Sequence, residues 1–370
     1  MKAERDLAGL VLPFAVSAMA AVYAEASLSG RLGISAIAAV SVTLGALLPL
    51  LHPMHIKWNR AIQRALIIIA SLSAGWLCGI TSDIIGISRT DSHGIISAAA
   101  IRAGLSMQNA IDAMPFDHPD TNAILKALLT GERSDIPAHI TAAFRDSGAS
   151  HILALSGLHL GMIYGIISKA LSILGNSPAS TCIRSVGTVL ACGFYAMATG
   201  AGASTVRAFL FVVLGETARL TGRYRSTGSV LLAALMIQLV LDPQSARSVG
   251  FQLSYAAMAG IAFIFPWLRK MWPSHEDRRS DPIRWIWNSA AMSISCQITT
   301  GPLAYAYFHT FPKHFLLTNL ISLPLTGIII PCAIITLMLS TMDICPDIMF
   351  KATELLVEAL SAALEIIASM

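Results

Sequence analysis

The sequence predicts an all-α fold, a polytopic helical bundle in a membrane with about ten spans, some broken or re-entrant, and a few short amphipathic helices. Composition is the first sign: 55% of the 370 residues are hydrophobic, only 12% are charged, and the mean hydropathy is +0.67. That is about half the charge of a soluble domain. Apolar runs near the length of a spanning helix, about 20 residues, recur along the chain. The connections between them alternate in charge, and the basic ones fall on one side if each run crosses once.

The first run, Leu7 to Ala24, follows a short segment charged with both signs and contains Pro13. It reads as a retained span and not a signal peptide, because it is long for such a signal's apolar core and a second span follows directly. Leu32 to Leu51 and Ala65 to Ile80 come next, joined by a loop with Lys57, Arg60 and Arg64 and no acid, which the positive-inside rule makes cytoplasmic. Residues 1–80 are therefore a group of three spans.

Residues 81–150 are polar and more acidic than basic, and one crossing after a cytoplasmic loop puts them outside. Their helices are expected at Ile95 to Met114, stopped by Pro115, at Thr121 to Thr130, capped by Asp120 and closed by Gly131, and at Pro137 to Asp146, with Ser134 or Asp135 near the cap and Gly148 beyond. Ile124, Leu125, Leu128 and Leu129 form one apolar stripe, suited either to the membrane surface or to packing on the spans.

Spans resume over residues 151–340: Ile152 to Leu174, Val186 to Thr199, Thr205 to Ala218, Ser229 to Leu241, Phe251 to Leu268, Trp285 to Tyr307 and Phe315 to Leu339. Val186 to Thr199 and Ser229 to Leu241 are short for plain crossings, and the former ends in Thr-Gly-Ala-Gly-Ala-Ser. Irregular backbone at membrane depth survives only where protein or a wet cavity surrounds it, so a functional cavity is expected near Gly200 to Arg207. Over residues 341–370, Glu354, Glu358 and Glu365 superpose on one face of an apolar helix, an interfacial pattern.

Several polar groups stand inside these apolar runs. On a single helix His151, Ser156 and His159 would share an arc of about 140° and face one cavity, with Gly157 and Gly161 allowing a close neighbour. A hydrogen-bonded helix-packing patch is the plainer account of the same residues. Ser156 and His159 also have the spacing of a hydrolase dyad, but no third group to orient the histidine is identifiable, so no catalytic role is expected. Arg207 follows the glycine-rich turn of Thr199, Gly200 and Ser204, where backbone N–H groups and a guanidinium suit a phosphate, or where Glu216 or Asp242 provide a structural ion pair. Gln252, Ser254 and Asn319, with Gln238 and Gln297, either line a path or hold helices together. The six cysteines are scattered and no Cys/His ladder occurs; His52-Pro-Met-His55 alone is too short for a structural zinc site. Neither metal nor cofactor is expected.

Leu-Leu-Thr-Gly-Glu-Arg-Ser, ending at Ser134, followed by His-Ile-Leu-Ala-Leu-Ser-Gly-Leu-His, ending at His159, resembles the signature of the ComEC competence family, the inner-membrane DNA-uptake proteins of bacteria. Blocks at Thr199-Gly200 to Arg207-Ala208, Asp242-Pro243 with Gly250 to Ser254, and Gln297, Pro302, Asn319-Leu320 and Pro324 follow in the same order. The resemblance implies a bacterial inner-membrane core that passes single-stranded DNA, with Glu132 where many members carry Asp. The family's external oligonucleotide-fold domain has no room between Ile80 and Ile95, and no His-x-His-x-Asp-His cluster marks its nuclease domain. Separate DNA-binding, nuclease and motor proteins are then the implied partners, besides membrane lipid, and the core acts singly or as a homo-oligomer. The alternative is a transporter core serving a small anionic solute through the same broken-helix site.

Overall fold

The computed structural model describes residues 2–23, 60–85, 95–175, 177–222, 226–272 and 282–370. Among the described residues there is no strand, and five helical segments are long and apolar enough to cross a membrane: Glu4–Tyr23, Gly157–Leu174, Pro178–Ala198, Val249–Lys270 and Phe315–Thr341. Arg64–Ile80 and Thr227–Leu241 are shorter apolar helices. The expected span Leu32 to Leu51, the His52 and His55 pair, and Lys57, Arg223, Arg225, Arg278 and Arg279 lie outside the described residues.

In chain order the helices are α1 (Lys2–Tyr23), α2 (Arg60–Ile85), α3 (Ile95–Asp112), α4 (Pro119–Thr130), α5 (Ala138–Asp146), α6 (Ser150–Leu153), α7 (Gly157–Ala170), α8 (Pro178–Ala198), α9 (Ala203–Leu220), α10 (Thr227–Leu241), α11 (Val249–Ala259), α12 (Phe265–Lys270), α13 (Pro282–Phe308), α14 (Phe315–Thr341) and α15 (Asp347–Ala368). Two boundaries depart from expectation. The run Ile152 to Leu174 is broken: α6 stops after one turn, Ala154 is extended, and α7 restarts behind Ser156 as its N-cap. A serine that bonds the helix start competes with continuation of the helix. The run expected from Val186 is instead a 21-residue helix from Pro178, because Ser177 caps it and Pro178 fits its first turn.

The chain forms two compact units, residues 1–92 with 224–262, and residues 93–223 with 263–370. In the first, α1 and α2 approach so closely that a Cβ on Gly75 would overlap the Phe14 carbonyl oxygen, and one on Gly79 would lie 2.7 Å from that of Ala18. This Gly-x-x-x-Gly pair lets backbone meet backbone, the usual basis of tight helix association in lipid. Gln252 donates to Tyr23 Oη at 2.8 Å and to the Ala246 carbonyl at 2.9 Å, and Tyr255 Oη donates to Gln238 Oε1 at 2.9 Å. Arg247 donates to the Val22 carbonyl. These amides hold helices together. Between α11 and α12 the helix widens into a π-turn, Gly260–Ile264, immediately before Pro266, whose ring nitrogen cannot donate to the preceding turn.

In the second unit the polar segment supplies an apolar core. Ile124, Leu125, Leu128 and Leu129 of α4 are all buried, clustered with Phe144 of α5, Ile329, Ile330 and Ala333 of α14, and Val357, Leu360 and Leu364 of α15. The apolar stripe on α4 thus faces protein. Each of the larger side chains contributes roughly 1.5–3 kcal/mol on burial, so this cluster ties the polar helices to α14 and α15. The acidic stripe of α15 is drawn into the same tie: Glu354 is buried and accepts the His118 backbone N–H at 2.7 Å, and Glu358 lies 3.0 Å from His118 Nε2. His118, and not Asp120, is the N-cap of α4, which opens on Pro119 and leaves Asp120 in its first turn. Likewise Pro137 caps α5, because Asp135 is engaged by Lys126 at 2.6 Å.

Candidate functional site

Three sequence blocks that are far apart in the chain meet at one end of the helix triplet α7, α8 and α9. The first is Thr130 to Glu132. Helix α4 closes on Gly131, at φ 81°, whose N–H bonds the Ala127 carbonyl at 3.0 Å. The Thr130 hydroxyl donates to Lys126 O at 2.7 Å, and Glu132 Oε1 accepts the N–H groups of Arg133 and Ser134, each at 2.9 Å. The Ser134 amide and hydroxyl, then the Arg133 amide, hold the Glu132 carboxyl below the usual carboxylate range. Lys126 is buried between Asp112 and Asp135, at 2.6 Å from each by hydrogen bond, and ties the turn down.

The second block is the start of α7. A Cβ on Gly131 would stand 3.4 Å from Leu155 Cβ, so the Thr-Gly-Glu turn abuts the link between α6 and α7. Ser156 Oγ accepts the Leu158 N–H at 3.2 Å, and His159 Nδ1 accepts the Ser156 N–H at 3.2 Å, a capping box with histidine in the place usually held by glutamate. Ser156 Oγ and His159 Nδ1 are 2.9 Å apart. The hydrolase spacing is therefore accounted for by helix capping. With Nδ1 accepting, the proton of the neutral ring sits on Nε2, and Nε2 is buried with no hydrogen-bond partner among the described residues. His151 does not share this face: it sits on α6, across the break, is exposed, and meets the Gly148 carbonyl through Nδ1 at 3.2 Å.

The third block joins α8 to α9. Gly200 and Ala201 both have positive φ, 82° and 48°, and their N–H groups bond the Met197 and Ala196 carbonyls at 3.1 and 2.8 Å. Gly202 then caps α9 with no side-chain bond. Arg207 is only 4% exposed, and its guanidinium folds back to the helix start, with Nη2 3.0 Å from Ser204 Oγ. Thr205 Oγ1 is buried and without a partner among the described residues. A Cβ on Gly157 would lie 3.4 Å from Ala208 Cβ, which sets the start of α7 beside that of α9. Farther along, Tyr164 meets Glu216, so the two helices run parallel and their positive N-terminal ends lie together. Tyr195 Oη of α8 donates to the Leu129 carbonyl at 2.7 Å and fastens the third block to the first.

Between the first and third blocks lies a cleft of about 280 Å³, lined by Thr130, Gly131 and Glu132 on one side, Met197 to Gly200 on another, and Ile101, Gly104, Leu105 and Gln108 of α3. The cleft touches the expected segment, Gly200 to Arg207, only at Gly200. Neither His151, His159 nor Arg207 lines it. A second, apolar groove of about 460 Å³ runs along α13 by Gln297, Pro302, Tyr305 and Phe311. Asn319 is half-buried on α14 with Oδ1 unpartnered among the described residues, next to Thr318, whose hydroxyl donates to the Ser147 carbonyl at 2.6 Å. Gln252 and the half-buried Ser254 belong to the other unit, where Gln252 is spent on Tyr23 and Ala246. The described residues hold no cluster of metal-ligating side chains.

The two carboxylates suggested as partners for Arg207 also make contacts of their own. Asp242 Oδ1 accepts the Ser245 N–H at 3.3 Å in the first unit. Glu216 is buried at the far end of α9 and takes Tyr164 Oη, Ser185 Oγ and Arg219 Nη1 at 2.6, 2.6 and 3.4 Å. The sequence signal for that network was one acid in an apolar run.

The family model described as Competence protein matches residues 128–370, the stretch that contains all three blocks. The chain belongs to the Competence protein family. It is 26% identical over 228 residues to the Escherichia coli protein named Uncharacterized protein YcaI, which covers 60% of this chain and 29% of that one. It is 25% identical over 214 residues to ComE operon protein 3 of Bacillus subtilis, covering 58% of this chain and 25% of the relative. With Competence protein ComA of Neisseria gonorrhoeae the identity is 29% over 211 residues, 55% of this chain and 28% of the relative. The matched stretch of the competence-family chain thus spans less than a third of each of these relatives. No solved structure matches it.

Proposed function

We propose that this chain is the core of a DNA-uptake apparatus in the bacterial cytoplasmic membrane, crossing it about ten times and passing single-stranded DNA, with the driving force supplied by other proteins. The observation that carries this reading is the gathering of the family's signature blocks at one end of α7, α8 and α9. There the buried guanidinium of Arg207, the Nε2–H of His159 and the Thr205 hydroxyl lie on or beside two adjacent helix N-termini. Donors and a cation at positive helix ends suit phosphate oxygens, and a polyanion crossing lipid needs such contacts. Arg207 and His159 are 4% and 1% exposed, so in this reading a passing strand reaches them only after the triplet moves.

The test is transformation in a competent host with the chromosomal copy replaced. Arg207→Ala and His159→Ala are each expected to lower DNA uptake at least about 100-fold at unchanged protein level in the membrane. Normal uptake in both variants, at that level, sinks the proposal. The same closed surroundings favour one second reading, a small anionic solute, since a site this tight excludes a polymer until it opens. Liposomes containing the purified protein separate the two by comparing flux of labelled oligonucleotide with flux of small anions.

A further inference from the structure

We infer that the apolar groove on α13 is a docking site for one acyl chain of an anionic phospholipid, whose phosphate is held at Lys313. The inference rests on the reading of the chain as a membrane core, and not on DNA as its cargo. The groove, about 460 Å³ in volume, is walled by Ile294, Ile298, Pro302 and Tyr305 of α13 and by Phe311 and Phe315 from the link into α14. Gln297 supplies the one amide side chain. A Cβ on Gly301 would meet Gln297 Nε2 at 3.4 Å and the Phe311 ring at 3.5 Å, so the missing side chain keeps the floor open. Ile298, Tyr305 and Phe311 are 52%, 60% and 52% exposed, and no described residue closes the groove. An apolar surface this open belongs in hydrocarbon or beneath a partner.

Length and charge select the occupant. Trp285 and Tyr305 are both exposed on α13, and the rise between them, about 30 Å, equals the hydrocarbon thickness and sets one aromatic side chain at each interface. The groove therefore runs from near the midplane at Ile294 to the interface at Tyr305, about 16 Å, the depth of one leaflet. Pro312 of the same link packs on Gly148, so the rim lies on the side of residues 81–150, which the charge pattern puts outside. From Pro282 to Met342 the sequence has no acid. Lys313 is exposed and stands between the two groove phenylalanines in sequence, with His309 and His314 beside it. Asp146, in the segment that Pro312 adjoins, is paired with Arg145 at 3.0 Å. The apolar stem of a lysine can lie along such a rim while its ammonium stays among headgroups. A chain one leaflet long with an anion at its outer end fits both features.

Native mass spectrometry of the delipidated full chain in mild detergent, titrated with phosphatidylglycerol or phosphatidylethanolamine, tests this. The wild type is expected to retain a first phosphatidylglycerol about fivefold better than phosphatidylethanolamine. Ile298→Trp fills the groove from an exposed position and is expected to weaken retention of that first lipid about tenfold. Lys313→Gln is expected to abolish the preference and leave phosphatidylethanolamine unaffected. Leu190→Trp, at an exposed position on α8, is the control and is expected to change neither. Equal retention in the wild type and Ile298→Trp, or a preference that survives Lys313→Gln, overturns the inference. Should Ile298→Trp fail to accumulate, benzoylphenylalanine in place of Tyr305, irradiated in phosphatidylglycerol membranes, decides the matter. The expected adduct is one phospholipid, and an adduct to a second copy of the chain or to another protein overturns the assignment. No DNA enters either measurement, so failure here leaves the uptake reading standing, and normal uptake in the Arg207 and His159 variants leaves the lipid site standing.

Discussion

At the two ends of α7 and α9 the same pair of helices treats polar groups in opposite ways. At the Glu216 end the carboxylate oxygens have a hydroxyl each and an arginine between them. At the signature end His159 Nε2 and Thr205 Oγ1 are buried and find no hydrogen-bond partner among the described residues. A buried polar atom left unpaired costs about 1–3 kcal/mol, whereas a satisfied network stabilises. The saturated end is therefore built for cohesion, and the unsaturated end keeps a cost that cohesion does not explain.

The sharpest way to break this comparison is to remove the carboxylate. Glu216→Ala strands the Tyr164 and Ser185 hydroxyls and Arg219, and is expected to destabilise by about 3–5 kcal/mol, read as a fall in thermal unfolding temperature of the purified protein. A loss below about 1 kcal/mol makes the network decorative.

A smaller effect is expected at Lys126, the tie beneath the Thr-Gly-Glu turn. Burial disfavours its ammonium, but the hydrogen bonds and charges of Asp112 and Asp135 outweigh that and push its pKa above the ordinary lysine value. Asp135 is held below the carboxylate range by Lys126, with help from the Ser134 hydroxyl. The lysine's contribution is therefore complete below about pH 10.4 and lost as pH rises through its raised value. The aspartate's is present above about pH 3.9 and lost as pH falls through its lowered value. Lys126→Met is expected to cost about 1–2 kcal/mol near neutral pH, because the two acids it leaves are half-exposed and rehydrate, and to flatten the acid limb of a stability-against-pH curve.

At the signature end the sign reverses. Thr205→Val removes an unpaired hydroxyl and is expected to stabilise by about 0.5–1 kcal/mol while lowering DNA uptake; destabilisation would reveal a partner for that hydroxyl and weaken the contrast. The smallest expected effect is Ala201→Gly. Ala201 adopts φ 48° beside Gly200, and relief of that left-handed strain, less the added freedom of the unfolded chain, leaves a gain of about 0.5 kcal/mol. Differential scanning fluorimetry of the purified protein checks both.

Much of the fold was legible in order along the chain. Hydropathy placed each described apolar helix to within a few residues except at two places, and both exceptions are capping effects. Ser177 and Pro178 begin α8 among polar residues that a hydropathy window discounts, and the Ser156 cap interrupts an apolar run that such a window treats as continuous. The three signature blocks were recognisable as strings. Their meeting was not, because it depends on contacts such as Tyr195 with Leu129 and Gly131 with Leu155, between positions whose separation in sequence says nothing of their distance in space. The grouping of His151 with His159 assumed one unbroken helix and failed with that helix.

The sequence alone determined that the chain is helical, apolar and of the competence type, since periodicity, hydropathy and motif order are properties of neighbouring residues. Tertiary structure decided which face each stripe uses, as when α14 and α15 cover the apolar side of α4, and which polar atoms are paired, as with Glu216 and His159. Burial and hydrogen bonding are relations between distant segments, so they are fixed only when those segments pack together.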